Sequence, residues 1–173
     1  MAEHIKVLFS EEEINKRILE MAKQIDAEYG DEPVHLICIL KGSIFITTEL
    51  AKRLSMPVTL DFMSAHSYSG TNSTGSVQVT KDLEHSIEGK NVIVIEDIID
   101  TGKTLSFLLE LLEIRNPKSL KLLTLLDKPD RRVTHVDVDY IGFTIPDEFV
   151  VGYGLDYDQK YRNLPYVGMV EFD

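Results

Sequence analysis

The chain alternates unbroken apolar stretches with stretches whose apolar positions recur every three or four residues. Ile14, Ile18, Met21 and Ile25 follow at helical spacing, and Ser10-Glu11-Glu12-Glu13 before them has the form of a capping box. The pattern predicts a helix there, closed by Gly30 and Pro33. The runs inside "VHLICIL" (34–40), "NVIVIED" (91–97) and "SLKLLTLLD" (119–127) are apolar without alternation, which predicts strands buried on both faces. Helices are expected at about 43–54 and about 102–115, the second terminated by Asn116-Pro117. "PVTLDFM" (57–63) and "VQVTKD" (77–82) read as strands of a long hairpin, "DYIGFTI" (139–145) as another strand, and "FVVGYGLDY" (149–157) leads into the C-terminal part. Between the hairpin strands, "SAHSYSGTNSTGS" (64–76) is mostly Ser, Gly, Thr and Asn, and predicts a mobile functional loop.

Doubly buried strands with helices between them imply an α/β fold, doubly wound around a mainly parallel central sheet flanked by helices. Ligands of such sheets bind beyond the carboxyl ends of the strands. Lys41-Gly42-Ser43, the segment from Glu96 to Thr104, and Asp127-Lys128 follow three of the apolar runs, so one sheet edge should gather them. No internal repeat or linker interrupts residues 1–173, which are expected to form a single domain. The helix at 102–115 is apolar almost all round ("LSFLLELLEI"), leaving room for a subunit interface.

Composition narrows the setting. Of 173 residues, 43% are hydrophobic and 27% charged, ordinary for a globular protein with a full core. No run approaches the ~18 apolar residues of a membrane span, and the N-terminus lacks the charged and apolar blocks of a secretory signal. The lone cysteine, Cys38, lies in an apolar run and reads as a buried inert thiol, which points to a reducing, cytoplasmic setting. A formal charge of −11 argues against nucleic acid or an anionic membrane as partner. His4, His35, His66, His85 and His135 show no zinc-ligand spacing.

The chemistry concentrates in "VIVIEDIIDTGKT" (92–104). It ends like a phosphate-binding P-loop, but Asp97 stands where that motif needs its first glycine. A strand turning into a helix near Gly102 would aim the N–H groups of Asp100 to Thr104 at a single phosphate, with the Thr101 and Thr104 hydroxyls as further donors. Glu96 and Asp97, just upstream, suit ribose hydroxyls or Mg²⁺ held through water. A sugar phosphate with a free diol satisfies both halves.

That segment resembles the phosphoribosyl-pyrophosphate signature of the purine phosphoribosyltransferases. "LKGS" (40–43), Ser67-Tyr68, "DKPDRR" (127–132) and "FVVGYGLDY" with Arg162 resemble further marks of the hypoxanthine–guanine branch. The resemblance implies a type I phosphoribosyltransferase fold with a small hood over the active site, and Mg²⁺-dependent transfer of phosphoribosyl to a 6-oxopurine. It implies Asp100 as general acid or base at purine N7. Glu96 and Asp97 would hold the ribose hydroxyls and a metal, and Asp100, Thr101, Gly102, Lys103 and Thr104 the 5′-phosphate. Leu40, Lys41 and Gly42 would form a pyrophosphate loop with a cis peptide, Lys128 would read the 6-oxo group, Phe149 would stack on the base and Val150 would meet its edge. Asp156 would hold a second Mg²⁺, Arg162 would contact pyrophosphate, and Ser67 and Tyr68 would close over the reacting centre. His66 and Ser69 depart from the commoner residues beside Ser-Tyr. A homodimer or homotetramer is the implied assembly.

Taken singly, each residue has a plainer role. Asp100 suits a helix cap, Lys128 a surface lysine, Phe149 a core residue, and Asp156 with Arg162 a surface ion pair. Their joint occurrence in order favours an enzyme. Relatives of the fold that sense the activated sugar and bind nucleic acid carry a further domain or basic surface, and the charge here opposes that.

Overall fold

The computed structural model describes residues 2–68 and 76–173. In chain order its elements are β1 (Glu3–Phe9), α1 (Glu11–Tyr29), β2 (Val34–Ile39), α2 (Ile44–Arg53), β3 (Val58–Ser67) and β4 (Val77–Lys81). They continue with β5 (Asn91–Ile99), α3 (Lys103–Glu113), β6 (Ser119–Asp127), a 3₁₀ turn (Pro129–Arg131), β7 (Tyr140–Thr144), β8 (Val150–Val151) and β9 (Val167–Phe172).

The main sheet has the order β4-β3-β2-β5-β6-β7, parallel throughout except for β4 at its edge. Unbroken apolar runs are what its inner strands require, because alternate residues feed opposite cores. Leu36, Ile93, Ile95, Leu123 and Leu125 face the side covered by α1 and α2. Ile37, Val92, Val94 and Leu122 face Leu105, Leu108 and Leu112 of α3. Each fully buried aliphatic side chain contributes about 1.5–3 kcal/mol of transfer free energy. The expected capping box is present: the Ser10 hydroxyl accepts from the Glu13 N–H at 3.1 Å, and Ile14, Ile18, Met21 and Ile25 are buried below it.

Three expectations need correcting. First, β5 runs to Ile99, two residues past the expected end at Asp97, so Glu96 and Asp97 lie inside the strand rather than at its end. Second, residues 64–67 of the expected loop belong to β3, which pairs with β4, and the Tyr68 N–H reaches the Ser76 carbonyl at 3.0 Å. Residues 69–75 of that loop lie outside the described residues. Third, α3 is amphipathic, because Lys103, Glu110 and Glu113 share its exposed side with Phe107 and Ile114. A small second sheet, β1-β9-β8, supplies the hood that the resemblance implied. The stacked rings of Phe9 and Phe143, 4.0 Å between centroids, tie β1 to β7.

Candidate active site

The sheet order reverses between β2 and β5: β2 continues to β3 on one side, β5 to β6 on the other. A crevice opens beyond their carboxyl ends, as expected for such a switch point. After β2 the chain passes through a cis Leu40–Lys41 peptide into Gly42. A side chain at Gly42 would overlap the Asp97 carboxylate and the Gly154 carbonyl, while Gly154, at φ +98, has no room for one against the Gly42 backbone. Only glycine permits this approach of three segments. Arg162 braces it by donating to the Gly154 carbonyl at 2.7 Å, and its Nη2 lies 3.3 Å from Asp156.

After β5 the chain turns through Gly102, at φ +82, into α3. The first N–H groups of such a helix have no intrahelical acceptor and point to an anion site. A cavity of about 280 Å³ lies there, lined by Glu96, Asp100, Thr101, Gly102, Thr104 and Arg131 among others. A second cavity, of about 540 Å³, is lined by Asp97, Asp100, Lys128, Phe149, Val150 and Asp156 together with Arg131 and Asp147. Asp100 lies on the wall of both. Its side chain is half exposed (47%), yet Oδ1 is buried without a hydrogen-bond partner. Lys128 is buried, with Nζ 3.8 Å from that oxygen. The Phe149 ring, half exposed, lines this cavity and meets the Tyr157 ring in a T-shaped contact with centroids 5.5 Å apart.

Burial, and then the adjoining Asp97 carboxylate, push the Glu96 carboxyl well above the usual carboxylate range. Burial also raises Asp97, against the Ile98 N–H that it accepts at 2.8 Å. Two adjacent acids held back from ionising are groups that a cation would relieve. Among the described residues no three His, Cys, Asp or Glu side chains gather into a metal cage. The Glu96 and Asp97 carboxylates are the kind of oxygen donor by which Mg²⁺, completed by substrate oxygens and water, is commonly held.

A family profile described as phosphoribosyl transferase domain matches residues 4–158. The chain belongs to the phosphoribosyl transferase family. A hypoxanthine phosphoribosyltransferase of Salmonella typhimurium is 48% identical, over 98% of this chain and 97% of its own. The bifunctional protein TilS/HprT of Listeria innocua is also 48% identical, over 96% of this chain, but this chain spans only 26% of that relative. Among solved structures, a Trypanosoma cruzi hypoxanthine phosphoribosyltransferase in complex with the product IMP superposes with a TM-score of 0.90. It is 43% identical and covers 96% of this chain and 94% of its own.

The phosphoribosyl transferase fold brings most of the expected residues to the two cavities. Leu40, Lys41 and Gly42 join them through the packing of Gly42 on Asp97, and Arg162 through Asp156 and Gly154. Lys103 opens α3 but is exposed, and Ser67 and Tyr68 stand at the mouth of the β3–β4 hairpin. None of these three lines either cavity. Three residues escaped notice. Arg131 lines both cavities, and Arg132 pairs with Asp127 while its Nε donates to the Asp100 carbonyl at 3.1 Å. Both arginines stood in the quoted "DKPDRR", whereas Asp147, in a Pro-Asp-Glu turn, carries no sequence signal of its own.

Proposed function

We propose that the chain transfers phosphoribosyl from 5-phospho-α-D-ribose 1-diphosphate to hypoxanthine, and to guanine, giving IMP or GMP and pyrophosphate in purine salvage. The observation that carries this is the place of Asp100, a carboxylate with one buried, unpartnered oxygen on the shared wall of the cavity at the α3 N-terminus and the cavity that holds Lys128 and Phe149. The names of the full-length relatives support the same activity.

In this reading the 5′-phosphate sits on the amides of Asp100 to Thr104 beside Lys103, and Glu96 and Asp97 face the ribose hydroxyls. The base lies on Phe149, with its edge at the Val150 backbone and its 6-oxo group at the Lys128 ammonium. As N9 bonds to ribose C1 and pyrophosphate leaves, Asp100 accepts the proton that departs from N7. Leu40, Lys41, Gly42 and Arg162 receive the leaving pyrophosphate, and Ser67 and Tyr68 cover the reacting carbon. Glu96 and Asp97 would hold one Mg²⁺ and Asp156 a second, and these ions would supply positive charge for the leaving pyrophosphate. The 173 residues act as one domain in a cytoplasmic homodimer or homotetramer, an assembly that light scattering would establish.

A spectrophotometric assay with Mg²⁺, the activated sugar and each base in turn tests the proposal. Hypoxanthine should be converted only when the sugar and metal are both present. No turnover with any 6-oxopurine would overturn it.

A further inference from the structure

We propose that Asp147 is the positioning residue that keeps Lys128 available to the base, an inference that rests on the function just proposed. The Lys128 ammonium has two carboxylates near it, 3.8 Å away at Asp100 Oδ1 and 3.9 Å away at Asp147 Oδ1. It is within hydrogen-bonding distance of neither. The other oxygen of Asp147 lies 3.6 Å from Arg131 Nη1. Asp147 thus has one oxygen toward the Arg131 guanidinium and the other toward the Lys128 ammonium.

The geometry matters because Lys128 and Asp100 are assigned opposite tasks on one ligand. The lysine donates to the 6-oxo group, and the aspartate accepts at N7. Left alone in a largely buried site, an ammonium and a carboxylate less than 4 Å apart would close into a direct ion pair. Donor and acceptor would then satisfy each other instead of the base. A second carboxylate at nearly the same distance from Lys128 competes for the ammonium, so the pair stays open until a base enters. A plain surface ion pair, worth little, is the rival account of Asp147, whose side chain is half exposed (52%).

Asp147→Asn separates the two. It keeps size and removes charge at a half-exposed position, so folding is not at risk, and equal melting temperatures confirm that. The expected result is a fall of about tenfold in kcat/KM for hypoxanthine, carried by the KM for the base, with the KM for the activated sugar within about twofold. Activity with adenine should fall less, because the withdrawn ammonium no longer opposes its amine. Asp147→Glu, which restores the carboxylate, should recover most of the loss. Hypoxanthine kinetics within about twofold of wild type, or equal losses for both bases and the sugar, would overturn the positioning role. A wild type without 6-oxopurine transfer would overturn the function as well, whereas an active wild type with an unaffected Asp147→Asn variant overturns this inference alone.

Discussion

The two oxygens of Asp100 do not share one environment: Oδ1 is buried and unpartnered, while the side chain as a whole is half exposed. An unsatisfied buried acceptor costs about 1–3 kcal/mol, and a base that brings an N–H to it recovers that cost on binding. Asp100→Asn puts an amide there and removes the proton acceptor. Turnover should fall by about 10²–10⁴-fold while the KM for the activated sugar stays close to wild type. Steady-state kinetics varying one substrate at a time checks this, and turnover within a few-fold of wild type would mean that Asp100 takes no part in the proton transfer. Lys128 makes a complementary prediction. Its ammonium carries only donors, so a 6-oxo group pairs with it, whereas the exocyclic amine of adenine sets donor against donor. Sites that hydrogen-bond a substrate group can reject the analogue lacking it by ~10⁴-fold. Lys128→Ala should cut efficiency with hypoxanthine and narrow its gap to adenine. An unchanged gap in the variant would mean that another group reads the 6-position.

Gly102 marks the turn from β5 into α3, where the 5′-phosphate is proposed to sit. Its φ of +82 suits glycine, and an added Cβ would overlap the Thr134 carbonyl. A left-handed conformation costs a residue with a side chain about 1–2 kcal/mol, before any cost of that overlap. Gly102→Ala should therefore lower the urea midpoint and raise the KM for the activated sugar together, since one displacement moves both the α3 start and the cradle. A sugar KM unchanged despite lost stability would detach the turn from the phosphate site. The elements differed in how plainly the chain announced them. β2, β5 and β6 are buried on both faces, so their apolar runs needed no partner to be read. The hood strands did need one: β8 is two residues long, too short for any period, and β1 pairs with β9 near the far end of the chain. Glu96, Asp97 and Asp100 could be placed because one contiguous segment carries them. Asp147 gains its meaning from Lys128 and Arg131, which come from other parts of the chain, and that proximity exists only after folding.

Across the whole molecule, 29 acidic against 18 basic residues give a negative body, so loss of stability with acid cannot be assigned from the total charge alone. Lowering the pH relieves self-repulsion while it penalises particular buried groups. His35 isolates one of these. It is buried at the start of β2, with Nδ1 2.6 Å from the Thr59 hydroxyl and Nε2 buried and unpartnered. Burial, then the nearby Lys90 ammonium, hold its pKa below the ordinary histidine value, and the Asp61 carboxylate opposes this only in part. The folded pKa is therefore depressed, and the unfolded chain takes up the proton first as pH falls. The stability contributed by neutral His35 is fully present above the unfolded value, ~6.5, and is lost as pH falls from there through the folded value. One proton gained on unfolding gives a slope of at most about 1.4 kcal/mol per pH unit. His35→Gln fills similar space and does not titrate, so the difference in unfolding free energy between wild type and variant should shift against the wild type between pH 7.5 and 5. Urea titrations of both proteins at several pH values across that range measure it, and comparing slopes rather than levels removes any fixed cost of the substitution. Parallel pH profiles would mean that His35 accepts its proton in the folded state as easily as in the unfolded chain, through a partner that relieves the burial.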